Sequence, residues 1–234
     1  RSVELPKLDR NATSLDFGDW LTVAQQMIGD VSYTSEQWWE VVMTAVEQAY
    51  HHWLQADPLM RLRMAPVIPD MARRWPRTEK RVVGMLLQAV PKDIYEDLVA
   101  NRHMSAGQVM FKLYTVFQPG GQVERTALLQ MLVDWKCPSN NAAEMVNSIR
   151  KWRRWVVRAE ELQLVLPDPL VLAGVVAKMS DALARLGGAQ AAYRLSSVRQ
   201  HLGIDLRPGM QEIRTFSELL QAEAGEMALR QPGN

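Results

Sequence analysis

Residues Phe117–Trp135 read FQPGGQVERTALLQMLVDW, and this stretch decides the fold. Pro119, Gly120 and Gly121 stop one amphipathic helix. A second then starts near Val123 and runs to Trp135, with Glu124 in its first turn, where the positive end of the helix dipole favours an acid. Helices before the break are rich in tryptophan, whereas the long helix after it carries the basic run RKWRR at 150–154. The stretch therefore separates two helical blocks, and the expected division is an N-terminal domain over 12–119 and a C-terminal domain over 120–230.

Working outward, apolar residues recur at helical spacing through most of the chain, and alternating strands bounded by hairpin turns are nearly absent, so the expected fold class is all-α. Asp16 or Asp19 starts a first helix running to about Asp30, with Phe17, Trp20, Val23, Met27 and Ile28 inward. Thr34 or Ser35 caps a second, in which Trp38, Val42, Ala45, Ala49 and Trp53 form one stripe while Glu40, Glu47 and Gln48 face water. Pro58, Pro66, Pro69 and Pro76 break the next segment into turns. Thr78 is read as the cap of the helix TEKRVVGMLLQA, a helix over Lys92–Asn101 follows, and Ser105 with Gln108 makes a capping box for Ala106–Phe117. Beyond the glycines, helices are expected over Val123–Trp135, Ala142–Leu164, Pro169–Arg185, Ala189–Leu202 and Gln211–Leu229, with prolines or Gly187-Gly188 at the joints.

The chain has 234 residues, 47% of them hydrophobic, enough to build two cores. A formal net charge of +1 leaves any electrostatic function to local patches. The single cysteine, Cys137, offers neither an internal disulfide nor a cysteine-based zinc knuckle, which fits a reducing compartment and implies no structural metal. No apolar run approaches the roughly 20 residues of a membrane span, and RSVELPKLDR lacks the apolar core of a signal peptide. A cytoplasmic protein without a membrane partner is expected, and the start at Arg1 marks it as a piece of something longer.

Motifs for catalysis are missing: there is no HExxH, GxSxG, GxxxxGK[ST] or Asp-[Ser/Thr]-Gly. His51 and His52 diverge on a helix, His103 and His201 sit near helix ends, and Glu160, Glu161 and Asp134 read as solvated helix faces. No enzyme activity, cofactor or small-molecule substrate is expected. Two basic clusters stand out. Arg73, Arg74, Arg77, Lys80 and Arg81 gather around Trp75-Pro76. Arg150, Lys151, Arg154 and Arg158 fall on one arc of a helix, and Met145, Ile149, Trp152, Val156 and Ala159 take the opposite arc. Either cluster is suited to neutralising phosphates without reading sequence, or else is a solvated face paired with acids such as Glu144, Glu160 and Glu161. The eight tryptophans are first of all packing residues, and Trp135, Trp152 and Trp155 are candidate interface anchors.

The succession DFGDWLTVAQQMIGD, EKRVVGMLLQAVP, SAGQVMFKLYTVFQPGG, ERTALLQML and AAEMVNSIRKWRRWVVRAEEL resembles the Gag capsid region of copia-like and gypsy-like LTR retrotransposons. The resemblance covers roughly Asp16 to Glu226. Retroviral capsids carry a homology region built around Gln-Gly-x-x-Glu followed by apolar positions. Gly121 and Glu124 have that spacing, Leu129 and Val133 fall at apolar positions, Gly120 stands where the glutamine would be, and Gln118 is displaced. The resemblance implies two capsid-like helical domains joined flexibly near Pro119–Gln122. It also implies homo-oligomerisation into a particle enclosing retroelement RNA, with nucleic-acid contacts through phosphates. The competing reading of the same residues is a helical adaptor or nucleic-acid-binding module using its basic patches.

Overall fold

The computed structural model describes residues 4–138 and 141–230; Arg1, on which the expectation of a longer precursor rested, lies outside them. Among the described residues the chain is all-helical, and it divides into two compact units, residues 1–124 and 125–234. The division falls inside a helix, four residues beyond Gly120.

The first unit holds α1 (Ser14–Gly29), α2 (Ser35–Gln55), a short α3 (Pro58–Arg61), a 3-10 turn (Asp70–Arg74), α4 (Pro76–Ala89), α5 (Lys92–Ala100) and α6 (Ala106–Phe117). Their ends follow local chemistry. The Thr13 hydroxyl accepts from the Asp16 backbone N–H and the Asp16 carboxylate takes the Thr13 N–H in return, while Ser105 and Gln108 make the same reciprocal pair at α6. Asp57 accepts the Met60 N–H to start α3. Thr78 is not a cap: α4 begins two residues earlier at Pro76, whose fixed φ and missing N–H suit a first helical position, and Thr78 is buried inside the first turn.

α2 packs on α1 and α6, and α6 on α4. The core between them contains Phe17, Trp38, Trp39, Val46, Leu86, Leu98, Met110 and Leu113. A chain of rings threads it: Phe17 stacks on Phe117 at 5.1 Å, Tyr114 meets Phe17 edge-on at 5.5 Å, and Tyr50 meets Tyr114 at 5.2 Å. Each such pair contributes about 0.5–1.5 kcal/mol beyond area burial. The expected inward set of α1 is corrected at one place, since Val23 is exposed and Ala24 is buried; from Phe17, residue 24 completes two turns and residue 23 falls about 100° short. The indole N–H groups of Trp38 and Trp39 are buried, and among the described residues neither meets an acceptor, an omission worth about 1–3 kcal/mol each that the fully buried rings must outweigh.

α7 (Gln122–Val133) leads into the second unit, which holds α8 (Ala142–Glu161), α9 (Pro169–His201) and α10 (Met210–Arg230). α10 packs along both α8 and α9. α8 buries all five residues of its expected apolar arc, from Met145 to Ala159, against Ile213, Phe216, Leu220 and Ala224 of α10 and Leu172, Val176, Met179 and Leu183 of α9. The two helices expected on either side of Gly187-Gly188 run on as one element broken at Gly188, whose φ of 73° and ψ of −169° only glycine adopts readily. Gly187 allows close approach at the same place, since a Cβ there would sit 2.4 Å from the Met227 methyl.

Candidate functional site: the Gly120 turn and two basic surfaces

Phe117–Glu124 is a hydrogen-bonded turn. Gln118 takes a left-handed conformation (φ 46°) that ends α6, and Gly120 takes another (φ 70°). The Gly121 N–H donates to the Gln118 carbonyl at 3.0 Å, and a Cβ on Gly121 would sit 2.9 Å from that same oxygen. Two hydroxyls from distant helices then fix the turn. Ser14 donates to the Phe117 carbonyl at 2.7 Å, and Tyr50 donates to the Pro119 carbonyl at 2.9 Å. Finally Glu124, only 5% exposed at the start of α7, accepts the Gly120 N–H on its carboxylate. Burial first, and the nearby Glu124 charge second, push the Tyr50 phenol above its ordinary value, with Arg61 opposing, so the hydroxyl stays a donor. Within the expected joint at Pro119–Gln122, the Pro119 carbonyl and the Gly120 and Gly121 N–H groups thus have partners inside the first unit.

The residues on which the resemblance rests are placed as follows. Gly121 and Glu124 occupy the places read for them, but the apolar register is shifted by one. Leu128 and Leu132 are fully buried, whereas Leu129 is half-buried and Val133 is 38% exposed. At 100° per residue, Val133 lies opposite Glu124 on α7, while Leu128 and Leu132 lie on Glu124's side.

The first basic cluster is solvent-facing. Arg73, Arg74, Arg77, Lys80 and Arg81 are exposed, and the Arg73–Asp70 pair at 3.3 Å is so open to water that it contributes little. Arg77 sits in the first turn of α4, where the dipole disfavours a cation, so helix stability does not explain it. The second cluster splits. Arg150, Lys151 and Arg154 are exposed, while Arg158 pairs with Glu161 at 3.2 Å. Neighbouring Arg153 is structural, reaching Gln221 at 2.6 Å and Glu218 at 3.1 Å on α10. Glu160, read as a solvated acid, instead pairs with Arg214 of α10.

Of the tryptophans proposed as interface anchors, two are corrected. Trp152 is 1% exposed and donates its indole N–H to the Leu132 carbonyl at 2.9 Å; Trp135 is 8% exposed and donates to the Ser148 hydroxyl at 2.8 Å. Both are core residues of the second unit. Trp155 is half-buried against that core.

Two features escaped the sequence reading. A depression of about 610 Å³ in the second unit is lined by Ser180, Asp181, Leu195, Arg199 and Asp205. Its Arg199 guanidinium is held by both Asp205 oxygens at 2.6 and 2.7 Å and by Asp181 at 3.0 Å; the Asp205 bonds above all raise its pKa, so it stays charged with its charge balanced by two carboxylates. The residues come from α9 on both sides of the Gly188 break and from the loop after it, a grouping no linear motif marks. The other is a row of exposed aliphatic side chains between Leu59 and Met71, hidden in sequence among prolines that disguise any period. Among the described residues no group of three or more His, Cys, Asp or Glu is placed to hold a metal ion. Compared with protein-family models, curated proteins and solved structures, the chain matches none.

Proposed function

We propose that this chain is a structural, self-assembling protein of the Gag capsid type, a homo-oligomer that forms a particle around retroelement RNA. The observation that carries the reading is the turn in which the buried Glu124 carboxylate holds the Gly120 N–H while Tyr50 and Ser14 hold the flanking carbonyls. The turn contains Gly121 and Glu124, the two residues on which the resemblance rests, and it supports the reading by lying just before the boundary between the two compact helical units. Many identical weak contacts between copies would then add through effective concentration. Light scattering and negative-stain microscopy of the purified chain, with and without RNA and across salt, test the reading. Assembly that grows with concentration is expected; a strict monomer at high concentration overturns it.

The second reading, a nucleic-acid-binding helical module, is favoured by one observation: Arg150 and Lys151 are both exposed on α8, whereas the neighbouring Arg153 is tied to α10. Salt-sensitive RNA binding without any self-association would favour it over the first.

A further inference from the structure

The segment between α2 and α4 is built with an inside and an outside. Its inside is anchored: Met64, Ile68 and Trp75 pack half-buried on the core, Ala72 is buried, and the Ile68 methyl lies so close over Gly107 that a Cβ there would sit 2.6 Å from it. Arg61 locks the near end, donating to the Trp53 and Leu54 carbonyls at 2.9 and 3.0 Å with its guanidinium 4.3 Å from the Trp53 ring centre. The outside carries Leu59, Met60, Leu62, Val67 and Met71, of which Leu62 and Val67 are 83% and 86% exposed. Single exposed aliphatics are ordinary on a protein surface, but five within residues 59–71 concentrate apolar surface on one segment. Exposed Arg63, Arg73, Arg74 and Arg77 are interspersed or follow directly. From Asp57 to Arg81 seven cations face three acids, and one of those acids, Asp70, lies beside Arg73.

We propose that this face docks on an anionic lipid surface. Leu62 and Val67 enter the boundary between headgroups and acyl chains, and the arginines meet headgroup phosphates. Aliphatic side chains flanked by cations match both properties of such a surface, apolar below and negative above. Nucleic acid matches only the charge, because bases stack on aromatic faces, and here Trp53 is already covered by Arg61. A two-fold contact with a second copy would set arginine against arginine. Peripheral docking needs no spanning helix, so it is compatible with the finding that none among the described residues is long and apolar enough to cross a membrane.

Flotation of the full chain with phosphatidylcholine vesicles, with and without about 30% phosphatidylserine at about 0.15 M salt, tests the proposal. The chain is expected to float only with the anionic vesicles. Arg73→Gln with Arg74→Gln should weaken partitioning about thirtyfold, and Leu62→Asn with Val67→Asn at least about tenfold, because these positions are water-exposed in the free protein and their loss costs no core packing. Circular dichroism melts confirm that both variants remain folded. No flotation at this composition overturns the proposal, as does flotation indifferent to Leu62 and Val67. Loss of poly-uridine binding or of self-association in the Leu62/Val67 variant, without any vesicle binding, assigns the face to RNA or to a second copy and equally overturns it.

Discussion

The carboxylate of Glu124 accepts the backbone N–H of Gly120, so the first turn of α7 caps the loop that leads into it. The acid is buried, and it meets a backbone donor and the positive end of the α7 dipole. Removing it takes away the carboxylate that accepts the Gly120 N–H. Glu124→Ala is expected to destabilise the chain by about 2–3 kcal/mol, and Glu124→Gln, which keeps an acceptor, by less. Urea denaturation of the three proteins measures this, and an Ala variant as stable as the parent contradicts the capping role.

Tyr50 ties the same turn to α2, and its raised phenol pKa has a consequence at high pH. The folded state holds the proton more tightly than the unfolded chain, whose phenol titrates near the ordinary 10.0. Stability from this group is therefore complete below that pH and lost as pH rises above it. Tyr50→Phe should cost about 0.5–1.5 kcal/mol at neutral pH through the lost hydrogen bond. The gap between parent and variant should narrow above the ordinary phenol value, as comparison of the two proteins by chemical denaturation across pH will read directly.

Trp152 and Trp155 lie three residues apart on α8 and should behave differently. Trp152→Ala empties a fully buried site and strands the Leu132 carbonyl, at a cost of about 3–5 kcal/mol. Trp155→Ala should cost clearly less in thermal stability and act mainly on self-association, because that ring is only half-buried. Equal losses of stability in the two variants would contradict the placement.

Arg150 and Arg153 separate surface charge from structural charge in the same way. Arg150→Glu with Lys151→Glu should leave stability within about 0.5 kcal/mol and lower RNA affinity together with its salt dependence. Arg153→Ala should instead lower the melting temperature, since Gln221 and Glu218 lose their partner across the α8–α10 contact. RNA affinity that ignores Arg150 and Lys151 removes the reason for the second functional reading.

Gly188 offers a backbone test. Its φ of 73° with ψ of −169° is nearly closed to residues with a Cβ, so Gly188→Ala should cost about 1–3 kcal/mol although the site has room for the methyl group. A neutral outcome in a denaturation curve would mean that the break in α9 relaxes without consequence.

What the sequence by itself determined was local. The all-α class, the Ser105–Gln108 box, the stop after Phe117 and the division of α8 into an apolar and a basic arc follow from rules that act within a turn or two of helix. The tertiary structure alone decided which faces are covered. It buried Leu128 and Leu132 instead of Leu129 and Val133, took Trp135 and Trp152 out of reach of a partner, and gave Arg153 to α10. It also turned a proline-glycine break into a hydrogen-bonded turn, through Ser14 bonding Phe117 across 103 residues and Tyr50 bonding Pro119 across 69. Spacing along a chain fixes which residues share a helix face; which of those faces meets another element, and which hydroxyl reaches which carbonyl, depends on how separate helices pack, a property no local pattern encodes.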